Sequence, residues 1–168
     1  MLRPVIATAV QFYDVVLFFH ILAVLVAFGP SFAYGMFFAV AAKHDLRAMP
    51  TIGRAVITWD STIGTAAQVV ILLAGIYLTA DIWEFSDFFV SWGIVAILIL
   101  LGVTHGFMLP TSRRVVAIAE RDIAAAGSGD VTFSDEFNRL TGRLNLVGGL
   151  LGLLVALTVY VMTAKPFI

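Results

Sequence analysis

Four side chains in this sequence could hold a metal or move a proton from within apolar surroundings: His20, His44, His105 and Asp60. Histidine titrates near neutral pH and offers two ring nitrogens to a proton or a metal. A carboxylate beside it can orient the ring or exchange a proton with it. His20 stands in FYDVVLFFHILAVLVAFGPSFAYGMFFAVAA, Phe12 to Ala42, where no Asp, Glu, Lys or Arg follows Asp14 until Lys43. That run exceeds the roughly 20 apolar residues that cross a bilayer. Ionisable groups within such a run are costly and are functional candidates by default.

The elements that must position these groups are membrane helices. The 168 residues are 61% hydrophobic and 12% charged, with a mean hydropathy of +1.01. Soluble domains are about 45–50% apolar and about 25% charged. Apolar segments cover about 15–42, 57–80, 88–109 and 144–163. Backbone groups in lipid must be satisfied within each segment, so the fold is an all-α polytopic membrane protein, an antiparallel bundle of four transmembrane helices. Residues 1–168 form a single membrane domain, with a longer connector over about 110–143. The first residues, MLRPVIATAV, do not read as a cleavable signal peptide.

Charge sets the orientation. Lys43, Arg47 and Arg54 lie between the first two segments, and Arg113, Arg114, Arg121, Arg139 and Arg143 between the last two. Arg3 and Lys165 fall on the other side, and the second connector carries Asp81, Glu84 and Asp87. The positive-inside rule then places both basic connectors in the cytoplasm and both termini outside a plasma (inner) membrane. Trp59, Trp83, Trp92, Tyr13 and Tyr160 fall near segment ends, as interfacial aromatics do. Beyond Pro110, SRRVVAIAERDIAAA is either a helical extension or a helix lying on the cytoplasmic interface. Gly127 to Asp130 ends it, and Thr132 or Ser134 can cap a last helix that continues into the fourth span.

Small residues at helical spacing mark packing faces. They are His20, Ala23, Ala27, Ser31 and Gly35; Asp60, Gly64, Gln68, Ile71 and Gly75; and Asn145, Gly149, Gly152 and Ala156. His20, Asp60, Gln68 and Asn145 share these faces and are expected to point inward. Gly29-Pro30 is expected to kink the first helix.

Depth separates the histidines. His20 follows Asp14 by six residues, which places it about 9 Å inside the outer end; His105 precedes Pro110 by five, roughly 7 Å from the cytoplasmic end. The two cannot ligate one haem iron from both sides. An outer site would hold His20 with Tyr77, Thr158 or Tyr160. A cytoplasmic site would hold His105, Asp60, Ser61, Thr104 and His44. An Asp60–His105 pair there is a proton relay, a metal or haem ligand with its orienting carboxylate, or a plain buried hydrogen bond. A lone histidine facing small residues is more often a hydrogen-bonded packing residue than a ligand, and His20 is open to both readings.

Several classes are excluded. The absence of cysteine removes thiol exchange, iron–sulfur clusters and thiolate metal sites. No HExxH, P-loop or dinucleotide fingerprint is present. A net charge of -1 gives no reason to expect nucleic acid. No intramembrane Glu or recognisable selectivity filter stands in the spans.

The pieces FFHILAVLVAFGPS, LLAGIYLTA, HGFMLPTSRRV and YVMTAKPF resemble a family of predicted four-span bacterial integral membrane proteins. More distantly, the first helix and the histidine closing the third are similar to HemJ-type protoporphyrinogen oxidases and copper-resistance D-type membrane proteins. The resemblance implies haem b bound by intramembrane histidine, which falls on His20 and, less directly, on His105. That family's lysines have no counterpart at Val15–Phe19 or Asp87–Ser91.

Three functional readings follow. The bundle holds a redox or metal group, haem b foremost, with His20 (or His105) as ligand and Tyr77 or Tyr160 tuning the site. Or it is a non-catalytic subunit in a homo-oligomer or beside a partner subunit in the bilayer, with histidines that join helices. Or it is a small transporter or proton path through Asp60, His105 and His44.

Overall fold

A computed structural model describes residues 11–166. Arg3 and Phe167, used above for orientation and resemblance, lie outside the described residues. Four helices are long and apolar enough to cross a membrane: Phe12–His44, Leu46–Ile82, Phe88–Ala126 and Asp135–Ala164.

The first comprises α1 (Phe12–Phe28) and α2 (Ser31–His44). Its start is fixed by Asp14, whose Oδ2 accepts the Gln11 N–H at 3.0 Å. Pro30 brings no N–H and interrupts the ladder, as expected for Gly29-Pro30. The Gly29 N–H still reaches the Leu25 carbonyl at 2.9 Å, and the Ser31 hydroxyl donates to the Phe28 carbonyl at 2.6 Å. These two bonds satisfy the Leu25 and Phe28 carbonyls at the break, where lipid offers no other donor.

The second comprises a short 3₁₀ turn (Leu46–Ala48), α3 (Met49–Trp59), a π-helical turn (Asp60–Gly64) and α4 (Thr65–Ile82). The third comprises α5 (Phe88–Val103), a second π-helical turn (Thr104–Met108) and α6 (Leu109–Ala126). Pro110 does not end this helix. It sits in the first turn of α6, where its missing N–H costs least, and the wider π turn precedes it. The basic stretch after Pro110 is thus a helical extension. Gly127 closes α6 at φ +58°, a conformation glycine adopts without strain. The fourth helix, α7 (Asp135–Ala164), has Ser134 at its N-cap.

At about 1.5 Å per residue, the 30 residues of α7 measure about 45 Å, well beyond a hydrocarbon core of about 30 Å. The excess lies at the basic end, where α3, α6 and the start of α7 pack together. Ile118, Ala119, Phe137 and Leu140 form the apolar centre of that end. Arg54–Glu120 and Arg114–Glu136 ion pairs surround it. Asp122 Oδ2 accepts the Ser134 N–H at 2.9 Å and ties α6 to the start of α7. The connector expected over 110–143 is therefore mostly a helical hairpin.

Within the spans, α1 packs on α4, α4 on α5 and α5 on α7. Ala23, Ala27, Ala67, Ile71 and Ile97 make the central core. The small faces of the first two spans meet there as expected: Gly64 and Gln68 are buried, and Gly75 meets His20. The face on α7 does not behave so. Asn145, Gly149 and Ala156 are exposed, and nothing lies within 4 Å of a Cβ built on Gly149 or Gly152. The inward placing of Asn145 is thereby corrected. Glycines let helices approach from either side, so spacing alone does not say which side is used.

Candidate functional sites

His20 projects from α1 toward α4. A Cβ built on Gly75 would stand 3.4 Å from its Cε1 and 3.8 Å from its Nδ1. Glycine, or at most alanine, lets this ring lie against the α4 backbone. The Nδ1 atom is buried and makes no hydrogen bond of ordinary geometry, although the Ile71 backbone on α4 lies near enough to interact with the ring. Beside it lies a cavity of about 540 Å³ lined from all four spans, including Tyr13, His20, Gly75, Trp83, Thr158 and Lys165. Apolar residues such as Leu17, Val24, Ile97 and Val155 make up most of its wall.

The cavity's polar rim is at the end where the described chain begins and stops. Lys165 follows α7 with φ +43°, and its Nζ lies 3.8 Å from the Trp83 ring centroid. Trp83 Nε1 donates to the Tyr13 hydroxyl at 3.5 Å. Thr158 is committed elsewhere: its hydroxyl donates to the Leu154 carbonyl at 2.8 Å and accepts from Trp92 Nε1 at 3.1 Å. Of the neighbours expected for His20, Thr158 lines the cavity. Tyr77 and Tyr160 are outside its lining. Tyr77 packs edge-on against Phe12, and Tyr160 is 64% exposed. The helical period turns Leu78, Thr79 and Val161 inward at these levels and leaves both tyrosine rings facing out.

The other site lies toward the basic end and is built on the two π turns. Tyr34, on α2, donates its hydroxyl to Asp60 Oδ1 at 2.8 Å. Thr65 donates to the Asp60 carbonyl at 2.7 Å and stands 3.1 Å from His105 Nε2. A threonine hydroxyl carries one proton. Since Thr65 gives it to the Asp60 carbonyl, His105 must donate from Nε2, which leaves Nδ1 as the acceptor of the neutral ring. Asp60 and His105 are thus neighbours, as their depths implied, yet Thr65 separates them and Tyr34 takes the carboxylate. Ser61 and Thr62 turn their hydroxyls back to the Thr58 carbonyl, and so support the π turn rather than the site. His44 is not in this network. It lines a groove of about 670 Å³ between α2 and α3, together with Tyr34, Asp45 and Trp59.

Tyr34 and Thr65 are absent from the sequence reading. Tyr34 carried a signal, being seven residues, about two turns, past the buried Ala27. Thr65 carried none, because the π turn shifts the helical phase between it and Asp60. Among the described residues no three of His, Asp or Glu converge to hold a bare metal ion. His20 and His105 remain apart, against α4 at Gly75 and Thr65 respectively, about 15 Å along the helix.

A family model described as predicted integral membrane protein (DUF2269) matches residues 14–166. The chain belongs to the DUF2269 family. The match runs from the first turn of α1 to beyond α7, so both sites are inside the family's domain. No curated protein matches the chain. No solved structure matches it.

Proposed function

We propose that this DUF2269 chain holds haem b within its bundle, in the cavity beside His20, and that His20 would be the side chain that holds its iron. The observation that carries the reading is the bare Nδ1 of His20 beside a mostly apolar cavity. An imidazole nitrogen kept from water and from protein donors is short of a partner. A metal coordinated to it would supply one.

The donor set fits a group that brings most of its own ligands better than a bare ion, since no group of three His, Asp or Glu forms around His20 among the described residues. The cavity wall suits a planar apolar macrocycle. Lys165 and the Tyr13–Trp83 pair at the rim suit its carboxylates. Haem b would supply a one-electron couple there. The chain's own residues would hold the ring on His20, keep water from its face with α1, α4 and α5 side chains, and anchor its acidic edge at Lys165. The excess of basic residues at the other end supports a reading in which this cavity faces the outer side of a plasma membrane.

The test is an absorption spectrum of the full chain in mild detergent, oxidised and then reduced with dithionite, after expression with ample haem. A Soret band with sharp reduced α and β bands is expected, absent from His20→Ala and present in His105→Ala. A flat wild-type spectrum would overturn the reading.

A further inference from the structure

Two glycines on the cavity wall each receive a side chain from another helix, and both side chains also line the cavity. Gly75 on α4 receives the His20 ring from α1. Gly93 on α5 receives Met162 from α7: a Cβ built on Gly93 would overlap the Met162 Cε and stand 3.7 Å from its Sδ. The adjoining ends of α4 and α5 are tied by Trp83 and Phe89, whose rings meet edge-on with centroids 5.0 Å apart. Gly75 lies seven residues before the end of α4, about 10 Å in, and Gly93 five residues after the start of α5, about 8 Å in. His20 and Met162 therefore enter the cavity at levels within about 3 Å of each other, one from the α1–α4 pair and one from the α5–α7 pair.

The other polar side chains on this wall are engaged. The hydroxyls of Thr79, Thr158 and Thr163 donate to backbone carbonyls of their own helices. The Tyr13 hydroxyl accepts from Trp83, and Lys165 Nζ lies over the Trp83 ring. Met162 makes no hydrogen bond among the described residues. Its thioether is a soft donor that carries no charge and needs to lose no proton before it meets a metal, so it suits an apolar wall. Methionine is flexible, with three rotatable bonds. Here Gly93 seats the methyl end and the cluster of Phe89, Val90 and Val161 packs around the chain, which fixes where the sulfur can lie.

We propose that Met162 is a second protein ligand to the haem iron, opposite His20. The inference rests on the haem reading and adds what the far face of the group meets. Gly75 and Gly93 are then matched seats, one for each ligating side chain. The assignment also narrows the function. A thioether on the iron fills the position that oxygen or another small molecule would need, and His–Met ligation raises the reduction potential. The chain's role is accordingly to carry single electrons, and small ligands are kept from the iron.

The full chain is purified in mild detergent after expression with ample haem, beside Met162→Leu, Met162→His and, as a control at a position 60% exposed, Met36→Leu. Three properties are read: spin state from the Soret and visible bands, the rate of carbon monoxide binding to the reduced protein, and the reduction potential. Size-exclusion profiles and helix content are matched across the set. Wild type and Met36→Leu should be low-spin and slow to bind carbon monoxide. Met162→Leu, of similar volume, should keep its haem, turn high-spin and bind carbon monoxide at least tenfold faster. Met162→His should be low-spin again with a potential below that of wild type, which a residue that only packs would not produce. Should Met162→Leu shed its haem, recovery of a low-spin haem in Met162→His supports the ligand, and failure to recover it overturns the ligand. A high-spin wild type, or a wild-type spin state and carbon monoxide rate in Met162→Leu, overturns the methionine ligand and leaves the haem reading standing. A wild type with no Soret band overturns both.

Discussion

His20 and His105 make opposite bargains with their surroundings. His20 faces a cavity of about 540 Å³ with one ring nitrogen bare and buried. His105, though exposed, has its Nε2 fixed by Thr65 at 3.1 Å, and Thr65 is fixed in turn by the Asp60 carbonyl. A ring in the second condition gains little from a ligand at Nε2, because the ligand must first displace a hydrogen bond. A ring in the first condition gains a partner it lacks. The difference favours His20 over His105 as the ligand in the proposed reading, although both histidines are equally visible in the sequence.

The largest expected effect breaks or confirms that division outright. His20→Ala should abolish any haem absorbance, while His105→Ala should leave band positions and intensity unchanged. Equal loss from both would erase the distinction between the two ends. Gly75 gives a graded version. Alanine there would bring a methyl to van der Waals contact with the His20 ring, 3.4 Å from Cε1, and should retain haem. Gly75→Leu cannot occupy that space without moving the ring. It should lower haem occupancy at least tenfold at unchanged expression, measured as the Soret-to-protein absorbance ratio.

Much of this arrangement was legible in the residues. Phe12–Ala42 announced a span, Gly29-Pro30 announced its bend, and the series Asp60, Gly64, Gln68, Ile71, Gly75 announced an inward face. Those signals survive because they follow from helix period and from the needs of backbone groups in lipid. Three features were not legible. The π turns at Asp60–Gly64 and Thr104–Met108 are made of residue types that are also compatible with α-helix. They hid the part played by Thr65. The outward face of α7 was hidden because Asn145, Gly149, Gly152 and Ala156 have the same spacing whether they face this bundle or another helix. The cavity was hidden because it is what four spans leave between them, and Lys165 and Trp83 meet only through tertiary packing.

Stability measurements sharpen the comparison at the level of single hydrogen bonds. Tyr34→Phe removes the donor to Asp60 and leaves a carboxylate oxygen without it, so it should destabilise by about 1 kcal/mol. Gln68→Leu removes an orphaned acceptor and replaces it with an apolar group of similar size. Its expected effect is near zero or slightly stabilising. The check is reversible unfolding in mixed detergent micelles, followed by helix content. Equal losses from the two substitutions would show that Gln68 holds a bond as firm as that of Asp60.

The smallest effect is expected outside the spans, where Arg54 pairs with Glu120 and joins α3 to α6. Their side chains are 56% and 48% exposed, so water and salt screen the attraction. Exposed pairs of this kind contribute about 0.2–1 kcal/mol. Arg54→Ala should therefore cost less than about 0.5 kcal/mol, with the difference from wild type fading as salt is raised. The apolar contacts of Ile118 and Ala119 with Phe137 and Leu140 persist in that variant and are what hold the basic end together. Ala119→Leu, at a position 1% exposed, tests this directly by forcing extra volume into that centre, and it should cost about 1–3 kcal/mol. If Arg54→Ala proved the more damaging of the two, the basic end would be held by charge instead of packing. The Asp60 cluster directly above it would then depend on ionic strength, which the hydrogen bonds of Tyr34 and Thr65 give no reason to expect.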